Sequence, residues 1–230
     1  MRYLLPLVAL CAACGSPTSE ADAGPDAGSN PPPTAFCFGR PTLEFCEDFD
    51  EFALPGAFDS LHDLGGDATV DQSTSTTAPK SVSMRSTRDG AHVTLSKTVD
   101  GTLTFKTFVQ LRVEAKPASG VVEVLSISRP SEHYGVWLNA ANELSVTADG
   151  DTLGSLALPS TDWSSVRLDV GHDGGTRFVS FKIGDAIVVD KQPMLDAGGS
   201  LPSPTFTIGL GPDAGAGWNV RFDTVTFIYN

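Results

Sequence analysis

From residue 36 to the C-terminus, apolar and polar residues alternate in short runs. In Val109-Gln-Leu-Arg-Val113 the apolar side chains fall on one side and Gln110 and Arg112 on the other. Val179-Ser-Phe-Lys-Ile183 repeats the arrangement. A period of two marks an antiparallel strand with one face buried. Runs of this kind predict strands over 45–50, 68–72, 80–86, 92–98, 103–115, 121–129, 133–139, 143–148, 152–158, 164–170, 177–183, 186–190, 205–210 and 219–229. Turn residues separate them: Asp100-Gly101 reads as a tight hairpin turn, and Asn139-Ala-Ala-Asn142, Asp149-Gly150-Asp151, His172-Asp-Gly-Gly175 and Gly184-Asp185 read likewise. No stretch has a convincing amphipathic helical period, although 54–63 is expected to form a short helical turn. Strands this short and this numerous point to an all-β fold, a large sandwich or barrel.

The pattern is different before residue 36. Residues 1–14 hold one basic side chain, Arg2, a short apolar run, and small residues abutting Cys14. This is an export signal, too short to span a bilayer as a helix. Residues 15–35 contain no aromatic residue and no Leu, Ile, Val or Met. Such a segment cannot bury enough apolar surface to offset its ordering entropy, so it reads as a disordered tether, stiffened at its end by Pro31-Pro32-Pro33. Residues 36–230 are long enough for one domain with a sizeable core.

The 230-residue chain has a formal net charge of −13. That disfavours nucleic acid, which needs clustered Lys and Arg, and electrostatic docking on anionic lipid. A glycan, a protein partner or a bound cation remains compatible. Of the four cysteines, Cys11 and Cys14 lie in the signal. Cys37 and Cys46 form an isolated pair in an exported chain, where a disulfide is the expected state. A loop of that length, closed covalently, stabilises by about 2.7 kcal/mol in the chain-entropy model.

The run Leu10-Cys-Ala-Ala-Cys14 resembles a bacterial lipoprotein signal, with Ala12 and Ala13 in the small positions and Cys14 as the lipidated residue. Cys11, preceded by the larger Leu10, is the alternative lipid site, and an ordinary cleaved signal without lipid is the other reading. Gly15 stands where inner-membrane lipoproteins of this kind usually have Asp, so the resemblance implies the outer membrane or cell surface.

Three segments carry a second resemblance. They are Phe45-Cys-Glu-Asp-Phe-Asp50, Thr161-Asp-Trp-Ser-Ser-Val-Arg-Leu-Asp-Val170 with the following 177–189, and Val220-Arg-Phe-Asp-Thr-Val-Thr-Phe-Ile228. Together they resemble the concanavalin A-like lectin/glucanase jelly rolls of the laminin G-like kind. The resemblance implies a two-sheet antiparallel sandwich with its first and last strands adjacent, and Trp163 as a packing tryptophan. Many such domains hold a structural Ca²⁺ beside those strands, which here points to Asp48, Asp50 and Asp223. Hard oxygen ligands of this type are what calcium requires.

The superfamily includes enzymes and binding modules, so fold alone does not decide function. A retaining glucanase needs two carboxylates about 5 Å apart on one strand face, and no Glu-x-Asp-x-x-Glu run occurs. Of the alginate-lyase clusters only Arg112-Val-Glu114 is matched, on the polar side of its strand. No Gly-x-Ser-x-Gly nucleophile motif occurs, and His62, His92, His133 and His172 show no metal-ligand spacing. In His133-Tyr-Gly-Val-Trp-Leu-Asn139, Tyr134, Val136 and Leu138 share one face, and His133, Gly135 and Trp137 the other. A Trp beside a small residue suits stacking on a sugar ring. Trp137, His133 and Tyr134 are therefore the candidate contacts, and Trp218 stands at a loop end as either a rim residue or a plug. The function expected is a surface-tethered, non-catalytic module for a glycan or another extracellular ligand. A polysaccharide hydrolase or lyase, and an adhesion domain with a protein partner, are the alternatives.

Overall fold

The computed structural model describes residues 36–37, 45–50, 53–77, 79–100, 104–159, 162–173, 176–194 and 203–229. Fifteen strands and no helix form among them. One sheet contains β1 (Phe45–Glu47), β3 (Gly66–Asp71), β4 (Ser81–Ser86), β6 (Phe105–Ala115), β11 (Ser164–Asp173), β12 (Thr176–Ile183), β13 (Ala186–Met194) and β15 (Asn219–Tyr229). The other contains β2 (Ser60–Leu64), β5 (Ala91–Thr98), β7 (Val121–Arg129), β8 (Glu132–Asn139), β9 (Glu143–Ala148), β10 (Asp151–Ala157) and β14 (Thr205–Ala214). The eight-stranded sheet runs β13-β12-β11-β6-β15-β4-β3, with β1 beside the far end of β15. The seven-stranded sheet runs β10-β9-β8-β7-β14-β5-β2. Every pairing is antiparallel. The fold is a two-sheet antiparallel jelly-roll sandwich of the concanavalin A-like kind, and its first and last strands pair as expected.

The alternation read from sequence decides which side chains meet between the sheets. On β6, Val109, Leu111 and Val113 are buried while Gln110 and Arg112 face outward. On β12, Val179, Phe181 and Ile183 are buried. Phe45, Phe105, Phe206 and Phe227 meet at one end of the core, with Phe45 stacked on Phe227 at 4.2 Å. Each fully buried Phe contributes roughly 1.5–3 kcal/mol over leaving it in water. Trp218 is fully buried and so is the plug of the two readings open from sequence. Trp163 is half-buried, with its indole nitrogen out of water.

One expected element is corrected. The helical turn over 54–63 shrinks to a turn at 54–57, and Ser60–Leu64 is a strand paired with β5. Only Leu61 of this strand packs on the core, so its alternation is faint. The disulfide joins Cys37 to Cys46 on β1. Cys14, the signal 1–14, the tether 15–35, Gly101 and Gly174-Gly175 lie outside the described residues.

Candidate functional site

The two outer faces of the sandwich differ in chemistry. On the eight-stranded sheet Arg112 and Arg221 are cross-strand partners, as are Arg167 with Lys182 and Lys106 with Asp169. This face is laced with ions. Arg221 donates to Asp71 at 2.8 and 3.0 Å and to Glu114 at 2.7 Å, and Arg112 donates to Thr74 Oγ1 at 2.8 Å. The Arg112-Val-Glu114 fragment is thus part of a network of outward charges.

The seven-stranded sheet presents almost the opposite surface. One register row crosses all seven strands: Ser60, Ser96, Thr207, Ser126, Gly135, Thr147 and Thr152. A second row joins Thr98, Thr205, Ser128 and His133. A third joins Glu123, Trp137, Ser145 and Ser155. None of these outward positions carries Lys or Arg. Hydroxyls here bond one another across strands, Ser96 with Thr207 at 3.1 Å and Thr98 with Thr205 at 3.2 Å.

A small polar centre interrupts that hydroxyl surface. His133 Nε2 donates to Glu123 Oε2 at 2.6 Å, and Trp137 Nε1 donates to Thr147 Oγ1 at 3.0 Å. Gly135 is what lets them meet. A Cβ there would stand 2.7 Å from Trp137 Nε1, 2.8 Å from Glu123 Oε2 and 3.2 Å from His133 Nε2. The three side chains therefore converge over a glycine floor. Asp149, in the turn after β9, fixes the His133 backbone from both sides, accepting its N–H at 2.8 Å and donating to its carbonyl at 2.8 Å. The Glu123 bond holds the His133 imidazole above its ordinary range, against the opposing effect of burial. On β5, His92 is pushed the other way by burial and by the neighbouring His62, whose ring centroid is 4.4 Å away. The Glu123 charge reaches His92 too and partly counters that shift.

Of the three expected contacts, Trp137 and His133 share this face and Tyr134 does not. Tyr134 is only 2% exposed and its hydroxyl donates to Glu132 at 3.3 Å inside the sandwich. The correction follows from strand alternation, which sends Tyr134 inward between its two outward neighbours. Glu123 belongs to the site and was missed. Val121-Val-Glu-Val-Leu125 reads as one apolar run, and counting outward from Ser126 and Ser128 places Glu123 inward. A bulge between Glu123 and Leu125 shifts the phase and turns Glu123 to the outer face. A lone carboxylate inside an otherwise apolar strand was the available signal.

The acids expected to share calcium are buried neighbours, each engaged by the protein. Asp223 accepts from Thr76 N, Thr76 Oγ1, Thr77 N, Thr77 Oγ1 and Thr224 N. Asp48 accepts from Cys37 N, and Asp50 Oδ1 from Lys80 N. Asp50 Oδ2 is buried without a donor. Calcium takes six to eight oxygens, and among the described residues no three His, Cys, Asp or Glu side chains stand as a metal-holding group. These acids act as loop staples. Glu47 does the same, accepting from Phe49 N and Ala57 N.

No protein-family model matches the chain, and no curated protein matches its sequence. Solved structures do match its fold. The cellulose-induced protein Cip1 aligns with a TM-score of 0.63 at 14% identity, over 80% of this chain and 97% of that one. The receptor-binding domain of botulinum neurotoxin D aligns at 0.54 and 8% identity, over 81% of this chain and 49% of that one. A carbohydrate esterase from the Shiga toxin-encoding bacteriophage phi24B aligns at 0.50 and 14% identity, over 74% of this chain and 90% of that one. At these identities the likeness establishes a shared jelly-roll fold.

Proposed function

We propose that this protein is a lipoprotein of the outer membrane or cell surface, anchored through Cys14, whose jelly roll binds a glycan on the outer face of its seven-stranded sheet. Residues 15–35 serve as the tether. The observation that carries the binding reading is the Trp137–Glu123–His133 cluster, set on a face of Ser and Thr hydroxyls with no Lys or Arg. Sugar recognition combines an aromatic platform with a few placed polar groups. The structural neighbours include proteins whose names refer to cellulose and carbohydrate, which accords with this reading. An adhesion surface would need a continuous apolar patch. The exposed large apolar side chains among the described residues, Leu64, Val121, Leu156, Ile187 and Ile228, instead stand on five different strands.

The test is a screen of the full-length protein on arrayed plant, algal and bacterial polysaccharides, with the bound glycans checked for cleavage. Binding without cleavage, lost in Trp137→Ala, is the expected result. Silence on every glycan would refute it. The hydrogen-bonded His133–Glu123 pair is the one feature that favours an enzyme, since such a pair can hold and pass a proton. Cleavage products that disappear in His133→Ala would establish that second reading. Of the other carboxylates near these rows, Asp149 is taken up by the His133 backbone N–H, and Glu143 lies two strands from Glu123 and bonds Asn139 and Ser155. Two strand spacings, roughly 10 Å, are too wide for Glu123 and Glu143 to act as a retaining pair. For the anchor, Cys14→Ala is expected to move the protein from the membrane fraction to the soluble one. An unchanged distribution would rule out lipidation at that residue.

A further inference from the structure

Glu123 is a buried carboxylate on the ligand face. Its side chain is 10% exposed, although it stands on the outside of the sheet. Two glycines make room for it. Gly135 on β8 lies under Oε2, and Gly211 on β14 lies on the other side, where a Cβ would stand 2.9 Å from Glu123 Cβ and 3.7 Å from Oε1. The carboxylate therefore spans β7, with one oxygen over each glycine. Oε2 is satisfied by His133. Oε1 accepts no hydrogen bond from any described residue. A carboxylate oxygen left at the edge of water in a notch opened by two glycines is a vacant acceptor of fixed direction.

Nothing in the packing of the sheet calls for this group. Glu123 ties no loop, unlike the acids beside β1, and its one bond is to a side chain of the same face. The same face carries groups suited to a hydroxyl-rich ligand: Trp137 as the cross-strand partner of Glu123, the Ser96 and Thr207 hydroxyls farther along toward β5, and Thr94 bonded to His92, which the Glu123 charge reaches. The sign of the site also narrows the ligand. With no Lys or Arg at the outward positions of this sheet, a second carboxylate or a sulfate would meet Glu123 with only the His133 imidazole, already engaged by Glu123, to offset it, and the −13 charge of the chain opposes it further.

We infer that Glu123 is the hydrogen-bonding anchor of the site, accepting hydroxyl protons of a neutral sugar through Oε1 over the Gly211 notch while Trp137 underlies the ring, and that His133 is its positioning residue. The inference rests on the glycan reading above and goes further by naming the anchor and the charge class of the ligand. Neutral β-glucan, xylan and mannan oligosaccharides are the class that fits; uronate and sulfated oligosaccharides are the class that does not.

Affinity of the full-length protein is measured by calorimetry for cello-, laminari-, xylo- and mannohexaose, and for oligogalacturonate and oligoalginate. Glu123→Gln keeps the shape and removes the charge, so it is expected to weaken the neutral sugar roughly tenfold to a hundredfold, the range of a hydrogen bond to a charged group. Its thermal midpoint is followed alongside. In the unmodified protein, the bound sugar is expected to shift the ¹⁵N resonance of His133 Nε2, since the ligand shares its carboxylate partner. If that resonance does not move on binding, the anchor role is excluded even where the variant folds poorly. Undiminished affinity in folded Glu123→Gln, with binding lost in Trp137→Ala, overturns the anchor and leaves the glycan reading standing. Tighter binding of the uronates overturns the neutral class. Failure of every sugar to bind overturns both.

Discussion

Asp50 carries a charge that its surroundings oppose. It is 8% exposed, and Asp48 and Asp223 add their own negative charge beside it. Burial, and then those two neighbours, lift its pKa to about 6, against the Lys80 backbone bond that pulls it down. In the unfolded chain the group titrates near 3.8. The folded protein therefore binds more protons between those two values, and its stability falls as pH rises from about 4 to about 6. Asp50→Asn does not titrate and still accepts from Lys80 N. Its melting midpoint is expected to match the parent at pH 4 and to exceed it by a few degrees above pH 7. Equal midpoints at both would show that the carboxylate is solvated after all. A midpoint raised by calcium in the parent and not in the variant would instead identify Asp50 Oδ2 as a ligand of the cation anticipated from the sequence. The other acids of this group were legible only as residue types. That each would hold a loop, Glu47 through Ala57 N and Asp223 through Thr76 and Thr77, depends on partners far away in sequence.

Strands were the most legible elements, because a half-buried strand writes its burial into every second residue. β9, buried at every second residue, falls where the alternation ends on both sides, and β7 and β15, buried almost throughout, keep the bounds of their apolar-rich runs. Legibility fails where a strand buries too little or breaks its own phase. β2 has one side chain on the core, so its sequence resembles a loop. β7 is bulged after Glu123, and a single extra residue reverses the face of everything upstream of it. That is why Trp137 and His133 were found on the outer face and Glu123, their partner, was not. Tyr134 went astray for the simpler reason that its side chain follows the pleat inward, to a buried carboxylate invisible in the sequence. β1 is the shortest strand of the eight-stranded sheet, with three residues. Its hold on β15 is reinforced by the stacking of Phe45 on Phe227, while the disulfide at Cys46 ties β1 to Cys37.

At the scale of the molecule, the sandwich is joined at one end by ions. Glu132 lies at the start of β8 in the seven-stranded sheet and is 4% exposed. It accepts from Arg129 of the same sheet at 3.1 Å and from Arg177 on β12, which belongs to the opposite sheet. Tyr134 donates to the same carboxylate, and burial together with that charge pushes the phenol up to about 12. Both guanidiniums are buried, and the Glu132 carboxylate is a counter-charge they share between the sheets. Glu132→Gln preserves the outline of the side chain and removes the counter-charge that both cations share. Breaking a buried pair in this way costs about 3–5 kcal/mol. For a domain of this size that lowers the midpoint by roughly 6–20 °C. Replacing all three ions with Met, Leu and Met is expected to recover most of the loss, because an apolar cluster of similar volume often matches a buried ion network. Urea titrations of the parent, the single variant and the triple variant decide the matter. A loss below about 1 kcal/mol in Glu132→Gln would place the network in the range of exposed ion pairs, and the two sheets would then be held together by their apolar faces alone.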